Sequence, residues 1–135
     1  MLITYDDAKR ELLKLAGERP DFVYERNDDD KCVYADKGKP SCIVGHVLSR
    51  FGVDVCSWPP VEQSWRIRGL FENHAPVVDR VCLSPTALGL LNKAQIQQDG
   101  GITWSMAVAN AIEWAEAPRH EKVAGVCPDA MSYFG

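Results

Sequence analysis

Residues 39–53 read Lys-Pro-Ser-Cys-Ile-Val-Gly-His-Val-Leu-Ser-Arg-Phe-Gly-Val, the one stretch of the chain where a helix start, an apolar period and a helix stop agree. Ser41 is expected as the N-cap, because its hydroxyl can accept from an orphan amide of the first turn, and Pro40 before it suits an extended entry. Gly52 supplies the left-handed residue that ends the helix. At about 100° per residue, Ile43, Val44, Val47, Leu48 and Phe51 gather into one broad apolar stripe that must be buried. The rest of the chain has to supply the surface that buries it.

Cys42, Gly45, His46 and Ser49 fall on the opposite side, with Cys42 and His46 at i,i+4 spacing. In a packing role, the small residues admit a neighbouring helix or loop and His46 is a hydrogen-bonded partner at the seam. In a chemical role, a thiol in the first turn feels the positive end of the helix dipole and an imidazole one turn away takes its proton. The packing role is the expectation, because buried cysteines are common and mostly inert. The alternative is a thiol-dependent enzyme of acyl transfer or hydrolysis, with Cys42 as nucleophile, His46 as base and helix N-terminal amides stabilising an oxyanion.

Upstream, Thr4 before Tyr5, Asp6 and Asp7 reads as an N-cap with acidic residues in the first turn. Tyr5, Ala8, Leu12, Leu15 and Ala16 share one face until Gly17 and Pro20 stop the helix. Phe22-Val23-Tyr24-Glu25 and Cys32-Val33-Tyr34-Ala35 suggest a two-stranded hairpin around a polar loop at 26–31. Its acidic run, Asn27-Asp28-Asp29-Asp30, lacks the alternating ligands, central glycine and distal glutamate of a calcium loop and is expected to be a solvated tip. Asp36-Lys37-Gly38-Lys39 then turns the chain into the central helix.

Downstream, Trp58-Pro59-Pro60 and Pro76 interrupt regular structure, and Pro60 is expected to open a short helix running through Trp65 to Phe71, with Val61, Trp65 and Leu70 inward. Trp58, Trp65, Arg66 and Arg68 form the composition favoured at interface hot spots, and are the expected partner-binding residues. Ser84-Pro85 starts a helix whose inward face is Ala87, Leu90, Leu91 and Ala94, ended by Gly100 or Gly101. Thr103 caps the next helix, in which Trp104, Ala107, Val108, Ala111, Ile112 and Ala115 recur at helical spacing, so the two form a helical hairpin. Gln95, Gln98 and Asp99 near its corner read as an exposed polar helix end. From about residue 117 the chain turns irregular, and Val123, Val126, Met131, Tyr133 and Phe134 are expected to drape over the core.

The lead Lys-Pro-Ser-Cys-Ile-Val-Gly-His-Val-Leu with its Arg-Phe-Gly-Val exit, joined to Leu83-Ser84-Pro85, Ala94-Gln95, Gln98-Asp99, Thr103-Trp104 and Ala107-Val108, resembles a group of small uncharacterised proteins from actinobacteria and their phages. The resemblance implies a phage or actinobacterial source and a fold pattern. It transfers no catalytic residue.

The expected fold is a mostly helical α+β domain spanning residues 1–135, with about four helices around one core and a small two-stranded hairpin. At 135 residues and 46% hydrophobic composition the chain can bury a real core. A net charge of −4 supplies no basic field for phosphate backbones, so nucleic acid is disfavoured as a partner, the weaker version using Trp65, Arg66 and Arg68. No apolar run approaches the roughly 20 residues that span a bilayer. Five scattered cysteines without Cys-x-x-Cys spacing point to free thiols and a cytoplasmic location, the host cytoplasm for a phage product. Cys42, His46, Cys56, His74 and Cys82 lack the paired knuckles of structural zinc, so no metal and no cofactor is expected. The expected function is a non-enzymatic accessory protein that binds a host protein or itself.

Overall fold

The computed structural model describes residues 2–25 and 33–118. The expected loop at 26–31, Cys32, Cys127 and the tail residues Val123, Val126, Met131, Tyr133 and Phe134 lie outside the described residues. The chain runs β1 (Leu2–Ile3), α1 (Tyr5–Glu18), β2 (Ala35–Asp36), β3 (Lys39–Pro40), α2 (Ile43–Arg50), α3 (Pro60–Gln63), α4 (Ile67–Glu72), β4 (Cys82–Leu83), α5 (Pro85–Asp99) and α6 (Trp104–Glu116). It is a mostly helical α+β fold, as expected, with four long or medium helices and two minimal strand pairs.

Helix α1 begins as its sequence dictates. Thr4 Oγ1 accepts from Asp7 N and the Asp7 carboxylate accepts from Thr4 N, a reciprocal capping box. The Thr4 backbone amide, and after it the Thr4 side chain, hold the Asp7 carboxyl below the usual carboxylate range. Its inward residues Ala8, Leu12 and Leu15 pack with Leu90, Leu91, Ala94, Trp104, Val108 and Ala111 into one core that also takes Ile43, Val44, Val47 and Leu48 of α2. The stripe of the central helix is therefore buried from Ile43 to Leu48, with Phe51 partly buried at its end.

The cap of α2 lies one residue later than expected. Cys42, not Ser41, is the N-cap, and its Sγ accepts from Gly45 N at 3.4 Å. The Ser41 hydroxyl is instead bonded to Tyr24 Oη at 3.0 Å. At the far end Gly52 takes φ 86° and closes a Schellman turn, with Val53 N donating to Leu48 O. Helix α4 closes the same way through His74 at φ 52°, with Ala75 N donating to Leu70 O.

The antiparallel pair also lies later than expected. Among the described residues Phe22–Glu25 makes an isolated bridge, Val23 with Thr103, and the hairpin is β2 with β3, turning through Lys37 and Gly38 at φ 55° and 79°. Two successive left-handed residues give the turn whose twist matches a tight hairpin, so the segment read as a plain entry to the helix is itself the turn. The parallel pair β1 with β4 was not expected, since two residues are too short to show a strand period.

The expected single helix from Pro60 to Phe71 is divided. Trp65 O accepts from Tyr34 Oη at 2.6 Å, Arg66 is extended at ψ 152°, and α3 and α4 stand on either side of the break. Gln63 fixes the preceding loop, its Nε2 donating to Val55 O and Trp58 O and its Oε1 accepting from Ala35 N.

Helices α5 and α6 form the expected hairpin, with Ser84 and Thr103 as N-caps and Gly101 at φ 87° in the connection. Gln95 and Gln98 overturn their expected exposure: both are 1% exposed. Gln98 Oε1 accepts from Ile43 N and Gln95 Oε1 from Ile67 N, each at 2.8 Å, so α5 caps both α2 and α4 from outside.

Two consequences are measurable by denaturant unfolding with an unchanged slope. A Cβ at Gly45 would sit 2.1 Å from Tyr34 O, which is backbone, so Gly45→Ala is expected to destabilise by at least about 2 kcal/mol. Gln95→Met keeps the volume and orphans the buried Ile67 N–H, for an expected loss of about 1–3 kcal/mol.

Candidate functional site

The face of α2 opposite the stripe is divided between packing and solvent. Cys42 is 0% exposed, and its sulfur accepts from Gly45 N and faces Gln95 Nε2 at 3.9 Å. Gly45 is pressed against the Tyr34 carbonyl. His46 is half-buried, with its ring edge-on to Trp104 at 5.4 Å between centroids. The packing role expected for the small residues holds. The thiol alternative needed an accessible sulfur, and Cys42 has no solvent face.

The spacing argument fails for this pair because Cys42 is a cap. At φ −74° and ψ 169° it is extended, so its side chain folds over the helix end toward Gly45 N and does not run along the face beside His46. His46, inside the helix, points where the period places it, into a cleft.

That cleft, about 570 Å³, is lined by Arg19, Asp21, Phe22, Val23, Tyr24, Glu25, Pro40, Ser41 and His46. Its far wall is the segment after α1, which is held by the start of α6. The orphan amides of that helix find acceptors there: Trp104 N donates to Phe22 O at 2.8 Å and Ser105 N to Pro20 O at 3.2 Å. Phe22 meets Trp104 edge-to-face at 4.7 Å, and the Arg19 guanidinium lies 4.0 Å from the Phe22 ring centre. Tyr24 Oη accepts from Val33 N and bonds Ser41. Trp104 Nε1, beneath these rings, is the buried side-chain polar atom without a partner among the described residues.

Burial holds the His46 imidazole below its ordinary pKa of 6.5, and the charges of Arg19 and then Arg50 push the same way, against Glu18. Arg50 is itself committed, reaching Glu18 at 2.6 Å and Glu11 at 3.4 Å, and it ties α2 to α1.

The second candidate surface is the Trp-rich segment. Trp58 is 7% exposed and packs edge-on against Tyr34 at 4.9 Å, so it is a core anchor and not an accessible contact. Trp65 is 38% exposed beside α3, whose Val61 is 60% exposed, and these overturn the inward placement expected for both. Arg66 pairs with Asp99 at 3.3 Å and Arg68 with Glu72 at 2.9 Å. The four expected partner-binding residues therefore separate into one buried ring, one displayed ring and two paired cations. Sequence reading missed the cleft's Arg19, Asp21, Tyr24 and Ser41, since they meet beside His46 through bonds between remote residues, from the α6 start to Pro20 and Phe22 and from Tyr24 to Ser41.

Among the described residues no three His, Cys, Asp or Glu side chains are grouped to hold a metal ion, and no helix is long and apolar enough to cross a membrane. Cys56 and Cys82 are exposed free thiols.

The depressed His46 pKa has a sign. Above 6.5 the ring is neutral in folded and unfolded chains alike; as pH falls below that value the unfolded chain takes up the proton first, so stability declines until the folded pKa is passed. Proton NMR titration is expected to place His46 below the ordinary histidine value of 6.5, and His46→Gln to flatten this part of the stability profile. Comparison of the chain with family models, with curated proteins and with solved structures finds no match.

Proposed function

We propose that the protein is a non-enzymatic accessory protein that binds a protein partner through the surface around Trp65, in the setting of an actinobacterial phage and its host cytoplasm. The observation that carries this reading is a large aromatic side chain, 38% exposed, on a backbone that is fixed. Trp65 O is held by Tyr34 Oη, Ile67 N by Gln95 and Arg68 N by Asn92 Oδ1 at 3.3 Å. A displayed tryptophan on a rigid support loses little entropy on contact, which is the property of an interface anchor. Val61, on the adjoining α3, is a second exposed apolar side chain.

The charges favour protein over nucleic acid. Arg66 and Arg68 are each matched by a carboxylate within the chain, and the whole sequence carries a net charge of −4. A strand of phosphates would have to compete for both cations against an overall repulsive field. The phage and actinobacterial setting rests on the resemblance of the central helix and the α5–α6 pair alone. Nothing favours the thiol-enzyme reading, whose nucleophile is enclosed.

The test is quantitative recovery of a specific partner from actinobacterial lysate by immobilised wild-type chain and by Trp65→Ala, with sedimentation velocity covering self-association. Trp65→Ala is expected to weaken the complex by about 2 kcal/mol, roughly thirtyfold, while leaving thermal unfolding nearly unchanged. Equal recovery by the two chains, or a strict monomer that retains nothing, would sink the proposal.

A further inference from the structure

The geometry points to the cleft beside His46 as a binding site for a small zwitterion of the amino-acid type, its carboxylate on Arg19 and its ammonium on Asp21 and Glu25. This site lies between the end of α1 and the flank of α2, on different elements from Trp65.

Arg19 is exposed, and its guanidinium lies over the rings of Phe22 at 4.0 Å and Trp104 at 5.1 Å; no carboxylate pairs with it among the described residues. A guanidinium lying over a ring has its orientation set by the stack while its in-plane N–H donors stay available, the arrangement suited to a bidentate carboxylate. Asp21 and Glu25 line the same cleft and make no ion pair with Arg19 or with any other described cation. Among the described residues, charges of both signs therefore line one hollow with no ion pair between them. A simple anion would gain Arg19 and be repelled by two carboxylates, and a simple cation would meet the reverse. A molecule carrying both charges gains from each.

The remaining lining adds direction. The Ser41 hydroxyl, held 3.0 Å from Tyr24 Oη, is a polar group of the lining, and Val23 and Pro40 offer a small apolar contact. His46, neutral at pH 7 by its burial, adds a hydrogen-bonding wall without a third net charge. The backbone of the far wall is fixed by Trp104 N and Ser105 N, so the charged side chains stand on a placed segment.

The experiment is a titration of the isotope-labelled full chain with L-alanine, propionate and ethylammonium, three probes of nearly equal size that carry both charges, only the negative and only the positive. L-alanine is expected to give saturable amide shifts confined to residues 19–25, 41 and 46, with a Kd in the millimolar range suited to so small a ligand, roughly tenfold tighter than either single-charge probe. Arg19→Gln and, independently, Asp21→Asn are each expected to weaken L-alanine by about tenfold; both positions are exposed, so unchanged thermal midpoints show that the fold is kept. Propionate binding as tightly as L-alanine, shifts that grow linearly without saturation for all three probes, or wild-type affinity in both variants would overturn the assignment.

Discussion

Two buried amide side chains on one helix decide how the other helices sit. Gln95 and Gln98 are separated by one turn on α5, and each places its carbonyl oxygen 2.8 Å from the first amide of another helix, Ile67 of α4 and Ile43 of α2. Neither recipient has a strong cap of its own. Cys42 offers a sulfur at 3.4 Å, and Arg66 makes no side-chain cap bond. Helices of eight and six residues are too short to persist by propensity, so their stability comes from packing and from satisfaction of their orphan amides. By supplying both acceptors, α5 fixes the position of the central helix and of the segment that carries Trp65. A glutamine left unmatched in that place would cost about as much as a missing buried hydrogen bond, so the pairing also excludes alternative registers.

The helices whose signals are local were legible from the sequence. Thr4 with Asp7, Ser84 with Pro85, and Thr103 before Trp104 each state a start within four residues, and the inward faces of α1, α5 and α6 follow from spacing. What was not legible depends on partners remote in the chain. Ser41 looks like the better cap until Tyr24 claims its hydroxyl, and the helix after Pro60 looks continuous until Tyr34 claims the Trp65 carbonyl. Gln95 and Gln98 look like an exposed helix end because glutamine is normally hydrated; their i,i+3 spacing beside Leu91 and Ala94 was the one local sign that they face inward. The hairpin was sought in β-branched residues, whereas the turn chemistry of Lys37 and Gly38 places it.

The candidate site shows the same division. His46 was found because helical projection applies to it, and Cys42 was misjudged as its neighbour because projection does not apply to a cap. Of the expected contact residues, Trp65 is displayed and Trp58 is buried, although both precede or follow the same prolines. Composition alone does not separate them. The difference arises from Tyr34, whose ring takes Trp58 edge-on and whose hydroxyl holds the backbone at Trp65, so that one residue becomes core and the other is left at the surface.

Gly45 connects these two surfaces. Because it has no side chain, the Tyr34 carbonyl can lie against α2, and because that carbonyl lies there, Tyr34 is positioned to reach both tryptophans. The same close approach brings Val33 within reach of Cys42 N at 3.0 Å and of Tyr24 Oη at 3.1 Å, and so sets Tyr24 against Ser41 at the edge of the His46 cleft. A single missing Cβ thus lets one loop hold the Trp65 backbone through Tyr34 on one side and, through Val33, hold Tyr24 at the edge of the mixed-charge hollow on the other. Cys42 is drawn in at the same place: its N donates to Val33 O at 3.0 Å, its sulfur accepts from Gly45 N, and it is fully buried.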